Sequence, residues 1–337
     1  MKSSESIEMK VDYLGIFITK STTPIIWLDT LAVIEIYKTI KEEKENPRIK
    51  KLFNIVREKV SQGKLICPLG EQEEEIEEKV GEVIKQFVDL SLGISFLSND
   101  EIKESQLIKA IKSYSKTKDV ELTYLDAFHR DPVTHLKNKN GFIFSIVIEP
   151  TQLEIDTRKI IKQKNIEELQ SVKDEFYKDK EFVSKINDEL NGHFIAISYL
   201  IDMYKYKKEN DIPLSEVENL QILHMLNRPL SFWNEEQKSG LSGYLDFLKS
   251  NDYKQLPYVD INARMVTDLF TSKRKSLEIG DPTDISNLST LLPYCDYVLT
   301  DRDQMNRIKR LGLDKKYDTK VFALSNINDL FSDLEKI

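Results

Sequence analysis

The stretch GDPTDISNLSTLLPYCDYVLTDRD, from Gly280 to Asp303, carries five aspartates, and its reading decides the fold. Tyr297, Val298 and Leu299 form a short apolar strand, and the spacing of Ile285 to Leu292 predicts a helix leading into it. Asp284 then falls in the first turn of that helix and Asp301 just past the carboxyl end of the strand. Helix starts and strand carboxyl ends are two of the places where folds put chemistry. If the two elements lie side by side, the carboxylates converge. Converging carboxylates can hold a hard divalent cation, because Mg²⁺ takes one or two of them and completes its shell with waters and substrate phosphate.

Working outward, Pro24-Ile25-Ile26-Trp27-Leu28 is an apolar run too short for a buried helix and predicts a central strand covered on both faces. It ends in Asp29, after which Leu31, Ile34, Ile36 and Ile40 change to helical spacing. A second helix covers Arg48 to Ser61, and Leu65 to Pro68 is a second short strand. Glu71 to Glu75 are expected to open a helix with Ile76, Val80, Val83, Ile84 and Phe87 on its apolar face. This βαβα order predicts a parallel sheet with right-handed crossovers. From residue 91 to 257 the alternation fades into amphipathic helices: Asp100 to Lys116, Ile155 to Lys208 with a break near Asn191-Gly192, and Leu214 to Leu226. Asn140-Gly141 before Phe142 to Ile148 marks a hairpin or added strand within it. Helical spacing at Ile261 to Phe270, the basic Lys273-Arg274-Lys275, a last strand at Lys320 to Leu324 and a helix from Asn326 surround the aspartate stretch. The expectation is an α/β domain with a mostly parallel central sheet from residues 20–90 and 258–337, interrupted by a mainly helical insertion at 91–257.

The chain of 337 residues has a formal net charge of −8, so no global positive field draws in nucleic acid, and such a partner needs a local basic patch. Two cysteines, Cys67 and Cys295, make neither a disulfide framework nor a zinc pattern and point to a reducing cytoplasm. Met1 to Lys10 is polar, and no later run approaches a membrane span.

Asp29 after the first strand, the glutamates after the second, Asp284 at a helix start and Asp301 in Val298-Leu299-Thr300-Asp301 form an ordered set of acids on one sheet edge. In order and junction type, this set resembles the PIN-like nucleases, over about Thr23 to Phe87 and Tyr258 to Phe331. The family is a three-layer α/β fold in which an acid follows the first strand, a glutamate lies in the helix after the second, an aspartate starts a later helix and a fourth acid follows a strand. Here Thr300-Asp301 lacks the extra residue common at that strand end. Glu74 or Glu75 takes the second position, with Glu71 one turn earlier on much the same face. The resemblance implies metal-dependent hydrolysis of single-stranded nucleic acid, RNA before DNA, leaving a 5′-phosphate and a 3′-hydroxyl. It implies Mg²⁺ or Mn²⁺ at Asp29, Asp284 and Asp301, with Asp303 as a contact to metal-bound water and Thr300 orienting a ligand or water. Arg302, Arg307 and Arg310 on one side, and Lys273, Arg274 and Lys275 on the other, are candidates to locate the phosphate backbone.

Plainer roles compete at each position. Asp281, Pro282 and Asp284 fit an N-cap, a first-turn proline and a third-position acid, and Asp29 fits a cap of the following helix. His129 and His135 flank a polar loop, while Trp27 and Trp233 read as packing residues. Two other functions fit the same acids. One is a PIN-like scaffold whose helical insertion binds a protein partner, as in a bacterial defence or toxin-type system. The other is a haloacid-dehalogenase-like phosphatase, against which stands Leu31 at the position of that family's second aspartate.

Overall fold

A computed structural model describes residues 15–41, 45–72, 75–76, 79–116, 118–137, 150–273 and 276–337. The expected hairpin at Asn140 to Ile148, together with Glu74 and Arg274, lies outside the described residues. The described chain is mostly helical, with small, largely parallel sheets. Its strands are β1 (Ile16–Thr19), β2 (Ile26–Leu28), β3 (Val120–Thr123), β4 (Tyr297–Thr300) and β5 (Lys320–Ala323). The first helices are α1 (Thr30–Ile40), α2 (Pro47–Ser61), α3 (Val80–Ser91), α4 (Asn99–Lys116), α5 (Pro132–Lys137), α6 (Gln152–Val172) and α7 (Phe182–Leu190). There follow α8 (Gly192–Glu209), α9 (Glu216–Gln221), α10 (Arg228–Gln237), α11 (Gly240–Lys249), α12 (Asn251–Lys254) and α13 (Pro257–Thr271). The last are α14 (Asp281–Leu291), α15 (Arg302–Arg310), α16 (Leu313–Lys316) and α17 (Ile327–Leu334).

Two compact units divide the chain. The larger takes Ile18–Gln106, Leu122–Gly192 and Pro257–Ile337, and the smaller takes the described part of Met1–Phe17 with Leu107–Glu121 and His193–Leu256. Residues 91–257, read from sequence as one insertion, are therefore shared between both.

In the larger unit β2 pairs with β4 and β4 with β5, all parallel, with Leu28 opposite Leu299 and Thr300 opposite Ala323. Every residue of β2 is buried, as a strand covered on both faces requires. Single parallel bridges extend the sheet beyond β2, from Ile25 to Ile66 and from Leu69 to Ser95, and an antiparallel bridge joins Phe96 to Phe128. The ladder runs on past the strand end, where Asp29 N donates to the Leu299 carbonyl at 3.0 Å. Helix α1 packs against α2 and α3, and α13 against α7 and α14. One apolar core joins Leu28, Val298 and Leu299 to Ile36, Phe87, Leu288 and Leu330.

The helix expected to open at Glu71 to Glu75 begins, among the described residues, at Val80. Gln72 lies in a tight turn, its carbonyl accepting from Glu75 N at 3.0 Å while its Nε2 donates to the Leu28 carbonyl at 2.9 Å. Burying a hydrogen-bonded Gln72 against the end of β2 places Glu75 in the connection before α3. The long helix expected from Ile155 to Lys208 is also broken earlier: α6 runs into a π-helical turn at Lys173–Tyr177 and the helix stops there, with α7 starting at Phe182.

The smaller unit is helical around an aromatic cluster. Trp233 stacks on Phe247 at 5.3 Å between ring centroids, with Tyr114, Tyr244 and Tyr253 around them. No helix among the described residues is long and apolar enough to cross a membrane.

Candidate functional site

Strand β2 passes directly into α1, so Asp29 stands at the N-cap with extended backbone. Its Oδ1 accepts from Leu31 N at 2.6 Å and its Oδ2 from the Thr300 hydroxyl at 2.7 Å. Both oxygens are thus oriented while the residue is buried. The same junction recurs one strand over. There β4 ends at Thr300 and Asp301 caps α15, with Oδ1 accepting from Asp303 N at 2.6 Å and Gln304 N at 3.0 Å. Asp284 enters from the first turn of α14 and accepts from Gln304 Nε2 at 3.2 Å. Glu75 Oε1 accepts from Asn287 Nδ2 at 2.8 Å.

These four acids feel one another. Burial pushes Asp284 up to about 8, and the charges of Asp29, Glu75 and Asp301 push in the same direction. Glu75 rises to about 7, first through burial and then through Asp29, while Thr30, Lys162 and Asn287 oppose the rise. Asp29 is likewise raised by burial, with Asp301 adding to it and the Thr300 and Leu31 donors opposing. Each shift is what desolvation plus neighbouring like charge does to a carboxylate.

The donor set fits a hard cation. All four groups are carboxylates, Asp29 buried and the other three half-buried, and a positive charge would relieve their repulsion. The Thr30 hydroxyl, buried beside Glu75, completes no hydrogen bond of normal geometry among the described residues. Among the described residues no three His, Cys, Asp or Glu side chains make a ready-closed metal-binding group.

Several supporting residues escaped the sequence reading. Asn99 donates to Glu71 and to Asn287 Oδ1 at 2.8 Å, and Asn287 in turn holds Glu75. Gln304 links Asp284 to Arg307, whose Nη1 donates to Gln304 Oε1 at 2.7 Å and whose Nε reaches Asp268. The available signal was polar residues on helix faces otherwise apolar: Asn287 beside Leu288 and Leu291, and Gln304 beside Met305 and Ile308. Because Thr300 donates to a buried carboxylate, Thr300→Val is expected to cost about 1–3 kcal/mol, read as a lower urea midpoint with unchanged slope. An unchanged midpoint would show that this hydrogen bond contributes nothing.

Of the expected site residues, Asp29, Glu75, Asp284 and Asp301 come together, with Thr300 behind Asp29. Glu71 is held by Asn99 instead. Asp303 does not continue the strand. It lies exposed in the first turn of α15, because the chain turns helical immediately after Asp301. Arg302, beside it, and Lys273, just past α13, are exposed. Arg307 and Arg310 both bind Asp268, which makes them part of the packing of α15. Asp281 begins α14 and does not cap it; its carboxylate accepts from Glu278 N at 2.7 Å. Asp296 accepts from Ile25 N at the opposite end of the strands. His135 lies in α5 and bonds the Leu92 carbonyl. Cys67 and Cys295 are free and buried, and burial holds both thiols protonated. No family model, curated protein or solved structure matches the chain.

Proposed function

We propose that this chain is a metal-dependent nuclease with a PIN-like α/β domain, cutting phosphodiester bonds of single-stranded nucleic acid, RNA before DNA. One observation carries it. Asp29, Glu75, Asp284 and Asp301 come from four separate segments to the carboxyl edge of a parallel sheet and interact there as one cluster. Mg²⁺ or Mn²⁺, held by Asp29, Asp284 and Asp301 with Glu75 beside them, would stabilise charge on the phosphate oxygens and lower the pKa of water. Asp29 is kept in one rotamer by Leu31 N and Thr300. In the empty site Glu75 and Asp284 are raised to about 7 and about 8 by burial and neighbouring carboxylates, and a bound cation would hold both ionised. The hydrogen bonds from Asn287 and Gln304 orient those two groups.

Labelled single-stranded RNA should be cleaved with Mn²⁺ or Mg²⁺ and left intact in EDTA, and Asp284→Asn should lower the rate by at least ~100-fold. Absence of cleavage by the wild type, with no Mn²⁺ uptake in calorimetry, would favour a scaffold that binds a protein partner.

A further inference from the structure

We propose that the smaller unit carries a second site, a lysine-lined pocket at the carboxyl-terminal half of α4 that binds the phosphate backbone of a single strand. This deepens the nuclease reading and rests on it for the choice of a strand as ligand. The pocket, of about 650 Å³, is lined by Lys109, Lys112, Ser113, Lys116, Lys118, Asp119 and Glu121. Lys109, Lys112 and Lys116 recur at helical spacing and share one face of α4, and Lys118 follows the helix end. The attraction of cations to a helix carboxyl end fades within the last turn, so it accounts for Lys116 and not for Lys109 or Lys112. Lys109 Nζ donates to the Glu121 carbonyl at 3.1 Å, which fixes one ammonium at the wall. Asp119 is turned to the backbone, its Oδ1 accepting from Gly15 N at 2.7 Å. The lining carries four lysines and two acids, in a chain whose net charge is −8. None of these lining residues is aromatic, so bases have no stacking platform there and recognition falls on phosphates, independent of sequence.

The test is fluorescence anisotropy of 5′-labelled single-stranded RNAs of different sequence with the full chain in EDTA, comparing wild type with Lys112→Glu/Lys116→Glu. Both side chains are exposed, and circular dichroism checks that the variant keeps its fold. The expected result is an affinity loss of roughly tenfold or more for every sequence, and a salt slope lower by ~1.4, the release from about two phosphate contacts. Unchanged affinity in the folded variant overturns the site. Displacement of RNA by tripolyphosphate at equal phosphate concentration would assign the pocket to a free anion and overturn the strand; failure to displace supports the strand. Loss of binding in the variant, with no cleavage by the wild type in Mn²⁺, keeps the phosphate site and removes the nuclease.

Discussion

The metal-free protein is expected to lose stability as pH rises from about 4 to about 8, and Mn²⁺ to restore it, most strongly at the high end. Asp284 is pushed up to about 8 and Glu75 to about 7, against ordinary values of 3.8 and 4.5. In that window the native protein holds protons that the unfolded chain has released. Unfolding therefore becomes easier with each increase in pH, and the effect levels off above the native values. Acting as one coupled set, the acids account for a change on the order of 5 kcal/mol. Asp284→Asn removes one buried charge, so at pH 8 without metal it should melt higher than wild type, and it should gain less from Mn²⁺. Thermal melts at pH 5 and pH 8, each with EDTA or Mn²⁺, check both parts. An equal Mn²⁺ shift at the two pH values, or a less stable Asp284→Asn at pH 8, would contradict the cluster's electrostatics. The same substitution predicted to slow cleavage is thus expected to stabilise the empty fold.

Trp233→Ala should destabilise the smaller unit by about 3–5 kcal/mol, the cost of removing a large aromatic from a packed core. The ring is almost wholly buried, stacks on Phe247, lies near Tyr114 and Tyr244, and donates from Nε1 to Ser239 Oγ at 3.0 Å. The packing is close enough that a Cβ at Gly243 would overlap Ser239. Loss of near-ultraviolet ellipticity and a lower denaturant midpoint are the expected readouts. A midpoint within experimental error of wild type would mean that the cluster does not hold the unit together.

The features legible in the amino-acid sequence are local ones. Short apolar runs at Ile26–Leu28, Tyr297–Thr300 and Lys320–Ala323, two of them ending against an aspartate that turns the chain into a helix, follow from side-chain periodicity and capping preference. They need no distant partner, and Asp29 and Asp301 occupy such junctions. The register of β2 on β4 was not legible, because it depends on residues more than 250 positions apart.

Tertiary structure alone decided that Glu75 joins the aspartates while Glu71 does not. Gln72 donates to the Leu28 carbonyl, Glu75 meets Asn287 and Glu71 goes to Asn99, each a contact between segments remote in sequence. It also decided that Asp303 stays in solvent and that residues 91–257 divide between two units. The amino-acid sequence by itself determined the strand–acid–helix junctions, since these are set by neighbours within one turn. Which polar groups are buried, and how far burial shifts their protons, was determined only when segments remote in sequence closed around them and removed the water.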